Sequence, residues 1–228
     1  MLQGAAGSGE RSGARIAPEH FALLFAHCRA ERFASGHHLF MQDDASDRIY
    51  GVVSGRIEIS LFSVEGQKLV ANIEQGQSLV GEIGAFDGGR RTATATCIGP
   101  CELYSLTRRQ LFERIEQHPE LARAMIELLC ARLRWVSDEF GDQAFLDVEA
   151  RLAKRLLFLS ARLADGEGWV AISQAELADF LGITRESVNR VLNDWRGRNW
   201  IALRRGALRL LHAPALRRIA AAEDGLLA

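Results

Sequence analysis

No stretch of this chain stays apolar for the roughly 18 residues that a bilayer span requires. The N-terminal MLQGAAGSGERSGAR also lacks the apolar core of a secretory leader. A cytoplasmic location is therefore expected, with residues 1–17 read as a disordered tail. Cysteine is sparse. The four present, Cys28, Cys97, Cys101 and Cys130, form no CxxC pair and no zinc-ligand spacing. Cys97 and Cys101 sit in strand-like sequence, where buried free thiols are expected. His37–His38 is the only adjacent histidine pair, beside a turn glycine, and no metal site is expected. Absent too are a Ser/His/Asp or Cys/His set and a Walker loop, so nothing points to an enzyme.

Net charge is almost lacking as well, at −1 over 228 residues, but the total hides an asymmetry. Between Arg151 and Ala220 thirteen basic residues face six acidic ones, so that segment is +7 and the remainder −8. A basic C-terminal module on an acidic chain suits a nucleic-acid partner; a solvated basic surface is the plainer alternative. The length has room for one large domain or two modest ones.

What is present centres on the stretch from Pro119 to Val148. Proline is missing after its first residue, and Ile126, Leu129, Leu133, Val136 and Phe140 recur at spacings of 3, 4, 3 and 4. That is the seam of a two-stranded coiled coil, or else one face of an amphipathic helix lying on its own core. Before it the chain is strand-like. Turn signals at Ser35-Gly36, Asp43-Asp44, Ser54-Gly55, Glu65-Gly66 and Gln75-Gly76 recur about every ten residues, as in an all-β barrel or roll. The runs Ile49–Val53, Arg56–Leu61 and Lys68–Ala71 are expected strands, and Pro18–Cys28 and Thr107–Gln117 expected helices. Between Val80 and Thr94, glycines at both ends of a short segment can form a backbone anion nest. Arg91 offers a planar fork for phosphate oxygens, and Glu82 an acceptor suited to a sugar hydroxyl. The pair fits a sugar phosphate, or equally a surface ion pair on a tight loop.

After Val148, Ala150–Ala161 reads as a helix and Ser173-Gln174-Ala175-Glu176 as a capping box. Leu177, Phe180 and Leu181 face inward, Gly182 permits a sharp turn, and Thr184 caps a second helix, Arg185–Trp195. Two short helices joined this way are helix-turn-helix material. Arg185, Glu186, Asn189 and Arg190 are expected on its exposed face. Ile201–Leu210 alternates around Gly206 as a winged hairpin does.

Two resemblances extend these readings. Gly81-Glu82, eight intervening residues and Arg91-Thr92-Ala93 resemble the phosphate-binding cassette of cyclic-nucleotide-binding domains, and Asp47–Tyr50 with Ser54–Ile57 is similar to their β-roll. The segment Thr184–Arg190 resembles the recognition helix of the Crp/Fnr transcription regulators, and Ala144–Val148 the hinge after their dimerisation helix. The motifs span about residues 20 to 212 in the family's order. The resemblance implies an α+β protein: a cyclic-nucleotide-binding β-roll over 18–118, a long dimerisation helix and hinge over 119–147, and a winged helix-turn-helix over 148–228. By the same resemblance, Gly81 and Arg91 hold a cyclic phosphate and Glu82 the ribose 2′-hydroxyl, with Ile83 and Thr92 adjoining. Arg185, Glu186 and Arg190 correspond to base readers, arginine being bidentate to guanine and glutamate accepting from cytosine. Ser187 and the wing would position the protein on phosphates. Implied partners are double-stranded DNA bearing a palindromic TGTGA-like site, a second copy of the chain, and RNA polymerase.

The effector is less determined. Arg132, Val136 and Ser137 match helix positions that roof the pocket in cAMP-activated members, which carry Thr where Val136 stands and Ser where Thr92 stands. In eukaryotic cyclic-nucleotide domains, Thr at the latter place goes with cGMP, its hydroxyl bonding a syn guanine. The expected allosteric ligand is therefore cGMP and/or cAMP, with no catalytic cofactor. One hydroxyl contact is worth about 0.5–1.5 kcal/mol, a preference of roughly tenfold at most. The alternative is a regulator of the same fold that is ligand-independent or answers another small molecule, with Glu82–Arg91 a structural ion pair.

Overall fold

The computed structural model describes residues 15–221, so most of the expected N-terminal tail lies outside the described residues. Its elements run α1 (Pro18–Leu24), β1 (Glu31–Phe33), β2 (His38–Phe40), β3 (Arg48–Phe62), β4 (Lys68–Gln75), β5 (Leu79–Val80), α2 (Glu82–Asp87), β6 (Thr94–Thr107), α3 (Arg108–Gln117) and α4 (Glu120–Phe145). They continue with α5 (Val148–Leu163), β7 (Trp169–Val170), α6 (Gln174–Leu181), α7 (Arg185–Gly197), β8 (Ile201–Arg204), β9 (Ala207–Leu210) and α8 (Ala213–Ala221). The chain forms two compact units, and the division falls within α4, between Trp135 and Val136.

The first unit is built on an antiparallel sheet of order β1-β6-β3-β4, with β2 paired to β6 and β5 to β3. Here one expectation fails. The runs over 49–53 and 56–61 are a single strand, β3, and Ser54-Gly55 is a register irregularity inside it, not a turn. Gly55 has φ of 89°. The glycine signal was real, but a bulge uses the same left-handed residue as a turn and leaves the strand continuous. Because β3 bends there, its first half pairs with β5 and its second with β4, while β6 follows both halves.

Helix α1 stops at Leu24, four residues short of the expected Cys28, and the chain then passes through a left-handed His27. Helix α3 begins as its sequence suggests. Thr107 accepts from the Gln110 amide, and Gln110 Oε1 accepts from the Thr107 amide at 2.9 Å, closing a capping box. One core cluster joins Phe21, Leu24 and Phe25 to Ile49, Leu106, Leu111, Leu121, Met125 and Leu128. Another fills the roll with Val52, Ile57, Val80, Ala95, Cys97, Cys101 and Leu103. Cys97 and Cys101 are free and buried, as expected. Burial, with Cys101 adding to it, pushes the Cys97 thiol up to about 12, so it stays protonated and inert.

Helix α4 has two apolar faces. Leu121, Ala124, Met125 and Leu128 are buried, whereas Ile126, Leu133, Val136 and Phe140 are all more than half exposed, and Leu129 is half-buried. The stripe read as a seam is therefore not what seats this helix on the β-roll.

In the second unit, the last turns of α4 are tied to α5 by Asp142–Lys154 and Glu139–Arg155 ion pairs, each at 2.7 Å. The helix breaks after Phe145, and Asp147 caps α5 by accepting from the Ala150 amide at 2.7 Å. Leu152, Leu156 and Leu159 of α5 are fully buried. The hairpin β8–β9 takes up β7 as a third strand. Neither β7 nor α8 was anticipated, since two strand residues are too few to show an alternation.

Replacing Gly55 by alanine tests the bend in β3. An added Cβ would lie 2.6 Å from both Pro100 O and Cys101 Sγ, on a backbone that side chains avoid. Gly55→Ala is expected to cost at least about 1–3 kcal/mol, seen as a lower unfolding midpoint; an unchanged midpoint would refute this role.

Candidate functional site

The segment from Gly81 to Arg91 is a short helix between two loops. Gly81, at φ 83°, leads into α2, whose first amides have no carbonyl partner within the helix. A Cβ on Gly81 would collide with Arg91 Nη1 and press on the Phe40 ring at 3.1 Å, so glycine is required for space as well as for backbone angle. Arg91 Nη1 donates to Gly81 O at 2.9 Å and Nη2 to Arg48 O at 2.7 Å. Its guanidinium lies 4.0 Å from the Phe40 ring centroid, and its buried Nε has no hydrogen-bond partner. Burial pulls the Arg91 pKa below its usual value, and nearby Tyr50, Asp47, Glu82 and Asp44 act against this. It nonetheless stays charged. The result is a buried cation whose hydrogen bonds end on carbonyls, beside unpaired helix-start amides. That arrangement suits an anion.

Glu82 is buried, and it does not pair with Arg91 as a surface ion pair would. Its carboxylate is held by Arg132 Nη1 of α4. Arg132 Nη2 donates to Leu79 O at 2.6 Å and also meets Glu74 Oε1 at 3.2 Å. Glu74 Oε1 in turn accepts from Asn72 Nδ2 at 3.0 Å. Burial alone would lower the Arg132 pKa, but Glu82 and Glu74 outweigh it and hold the value above normal. One guanidinium is thus shared by two buried carboxylates of the β-roll.

Four of the expected ligand residues, Gly81, Glu82, Arg91 and Arg132, are brought into one connected set. Ile83 and Thr92 flank them and are exposed. Val136 and Ser137 lie on α4 past the division, within the second unit, and both are exposed. Sequence reasoning missed Glu74, Asn72 and Ser46, whose Oγ is buried without a hydrogen-bond partner. For the first two a signal existed: polar residues at alternate positions, 72 and 74, of a strand flanked by apolar ones.

In the second unit, Ser173 and Glu176 close the capping box of α6 at 2.7 and 3.1 Å, and Gly182 terminates it in the left-handed region. Thr184 caps α7 by accepting from the Ser187 amide. Val188, Leu192 and Trp195 bury one face of α7, and Trp195 Nε1 donates to Glu149 Oε1 of α5 at 2.8 Å. Arg185, Glu186 and Arg190 are exposed, as expected. Asn189 is not fully so. It is half-buried with Oδ1 turned inward and unpartnered, because one helix residue past Val188 turns only about 100°, to the edge of the buried face. Ser187 Oγ lies 3.1 Å from Thr184 Oγ1, engaged in the cap. A groove between α7 and the β8–β9 turn is lined by Ser173, Gln174, Arg185, Arg204 and Arg205. Beside it the Trp169 ring has the guanidinium carbons of Arg204 and Arg209 at 4.2 and 4.9 Å from its centroid.

These two geometries agree with comparisons to known proteins. Residues 30–118 match the cyclic nucleotide-binding domain and residues 150–219 the Crp-like helix-turn-helix domain. The chain belongs to the Crp/Fnr family of transcription regulators. It is 32% identical over 193 residues to the CRP-like cAMP-activated global transcriptional regulator of Mycobacterium tuberculosis, covering 82% of this chain and 86% of that one. The cyclic AMP receptor protein of Thermus thermophilus is 30% identical, over 90% of this chain and 94% of its own. Among solved structures, the c-di-GMP responsive global regulator CLP of Xanthomonas campestris superposes with a TM-score of 0.75, covering 85% and 99% at 24% identity, a likeness of fold. The family's members are regulators, not enzymes.

Removing Arg132 should expose the cost of the shared ion pair. Arg132→Ala leaves two carboxylates buried without their cation, and a loss of about 3–5 kcal/mol is expected, measured by urea unfolding. A change below about 1 kcal/mol would mean that the pair contributes little.

Proposed function

We propose that this chain is a homodimeric, cytoplasmic transcription regulator gated by a cyclic nucleotide, cGMP and/or cAMP, and that it reads a palindromic, TGTGA-like DNA site. The observation that carries the reading is the buried Arg91, hydrogen-bonded to carbonyls and set over Gly81, with buried Glu82 nearby. A cyclic phosphate would take the Arg91 fork and the α2 amides, and the ribose 2′-hydroxyl would donate to Glu82. Thr92, exposed next to Arg91, has its hydroxyl available to a base.

Arg132 links that event to α4. Ligand would compete for Glu82 and so redistribute the hydrogen bonds of a residue carried by the long helix. Gating requires that the nucleotide bind the DNA-competent state better than the other. The apolar stripe Ile126, Leu129, Leu133, Val136 and Phe140, exposed except at the half-buried Leu129, supports pairing of two α4 helices, and the resemblance adds Val136 and Ser137 to the proposed ligand residues. Such a dimer would place two α7 helices in major grooves about 34 Å apart. Arg185, Glu186 and Arg190 would read bases; Ser187, Asn189 and the basic wing would position the protein on the backbone. RNA polymerase is the further partner proposed.

A second reading is a ligand-independent regulator, favoured by one observation: Glu82 already has a cation in Arg132. Calorimetry of the purified chain with each nucleotide separates the two, since heat with neither supports the second. Under the first, DNA affinity measured by fluorescence anisotropy should rise about tenfold or more with nucleotide; identical affinity with and without cGMP and cAMP would sink it. Thr92→Ser is expected to weaken cGMP binding more than cAMP binding, and equal effects would remove Thr92 as a selectivity residue.

A further inference from the structure

Helix α2 is six residues long, too short to hold its own direction in water. The proposed function sets a cyclic phosphate on its N-terminal amides, so whatever fixes that direction also aims them. Two contacts do so. Ala85 is fully buried in the core cluster with Leu106 and Leu111 and fixes one point of the helix. Arg108, the first residue of α3, holds the far end: its Nε donates to Ala85 O at 3.0 Å and its Nη2 to Phe86 O at 3.3 Å. Those carbonyls belong to the last turn of α2, where a helix leaves its acceptors unpaired and its dipole favours a cation. Phe112, one turn along α3, has its ring centroid 5.0 Å from the Arg108 guanidinium and meets the Phe86 ring edge-on at 6.0 Å.

The backbone of the same residue holds the other half of the seat. Arg108 N donates to Asp47 O at 2.7 Å, and the next carbonyl along, Arg48 O, accepts from Arg91 Nη2 at 2.7 Å. The α2 amides and the Arg91 fork are thereby both referenced to one position on α3. We infer that Arg108 is a positioning residue for the bound anion, acting through α2 and not by touching the nucleotide; this rests on the cyclic-nucleotide reading of the site. Arginine suits the task because its planar fork carries donors on Nε and Nη2 in fixed geometry, which meet the carbonyls of two successive residues. A lysine head has no such spacing. Arg108 is exposed, so its side chain can be exchanged without opening a cavity in the core. Its backbone amide stays in place on Asp47, and the exchange therefore tests the hold on α2 alone.

The test is calorimetric titration of the full-length chain with cAMP and cGMP, at a temperature where each variant is folded, alongside its urea unfolding midpoint. Arg108→Ala is expected to weaken both nucleotides by the same factor, roughly three- to tenfold, because the phosphate is common to them and the loss is of one or two hydrogen bonds. Arg108→Lys keeps the cation at the helix end but only part of the fork, and should fall between wild type and alanine. Arg108→Glu sets a negative charge against the same carbonyls and should bind more weakly than alanine. If Arg108 serves the fold alone, Arg108→Ala lowers the unfolding midpoint while both affinities of the folded chain stay as in wild type, and the inference falls. It falls as well if one nucleotide weakens and the other does not, since the effect then lies on the base and not on the phosphate. Either result leaves the proposed function standing. Wild-type chain that binds neither nucleotide overturns that function itself, and this inference with it. Should Arg108→Glu fail to fold, the alanine and lysine affinities decide.

Discussion

Two carboxylates and one guanidinium, all withdrawn from water, set the terms on which this β-roll holds its long helix. Glu82 and Glu74 come from different segments of the first unit, and neither is tolerable in a dry interior without a cation. Arg132 supplies it from α4, about one helical turn beyond the buried Leu121–Leu128 face. Apolar packing seats the start of the helix, but it ends at Leu128. Past that point, charge holds the helix to the roll. Under the proposed cyclic-nucleotide reading, a ribose hydroxyl would compete for Glu82, so an attachment of this kind could be renegotiated in a way that a packed core could not.

The remaining buried cation is arranged differently. Arg91 spends its hydrogen bonds on the carbonyls of Gly81 and Arg48 and its face on Phe40. Carbonyl dipoles orient a guanidinium without cancelling its charge, so Arg91 is positioned for an anion while Arg132 is occupied by two. Within one small region the fold thus keeps one cation open and one closed. The second unit has its own logic: its share of α4 is locked to α5 through Glu139 and Asp142, and α7 is anchored to α5 through Trp195 and Glu149. The exposed face of α7 therefore sits on a rigid base, as a reader of fixed grooves needs.

Much of this was legible in the chain. Capping boxes at Thr107 and Ser173 are local hydrogen-bond patterns between residues three apart, and they formed where their residue types stand. The winged hairpin around Gly206 and the Gly81–Arg91 segment were visible because glycines and arginines mark them within a few residues. One expectation that failed depended on distant partners. The bulge at Gly55 looks like a turn until β6 is seen to pair with both halves of β3. Asn189 went astray for a local reason, because one residue past Val188 the helix turns only to the edge of its buried face.

The sequence by itself determined the two-part organisation, the long helix with its apolar stripe, and the residue types of the cassette and of the reading helix. All of these are carried by periodicity or by neighbours along the chain. Only the tertiary structure decided who pairs with whom. Glu82 turns to Arg132 and not to Arg91, and Glu74 joins them across 58 residues of sequence. No spacing rule announces such a contact, because burial makes it necessary and burial exists only once the roll has closed.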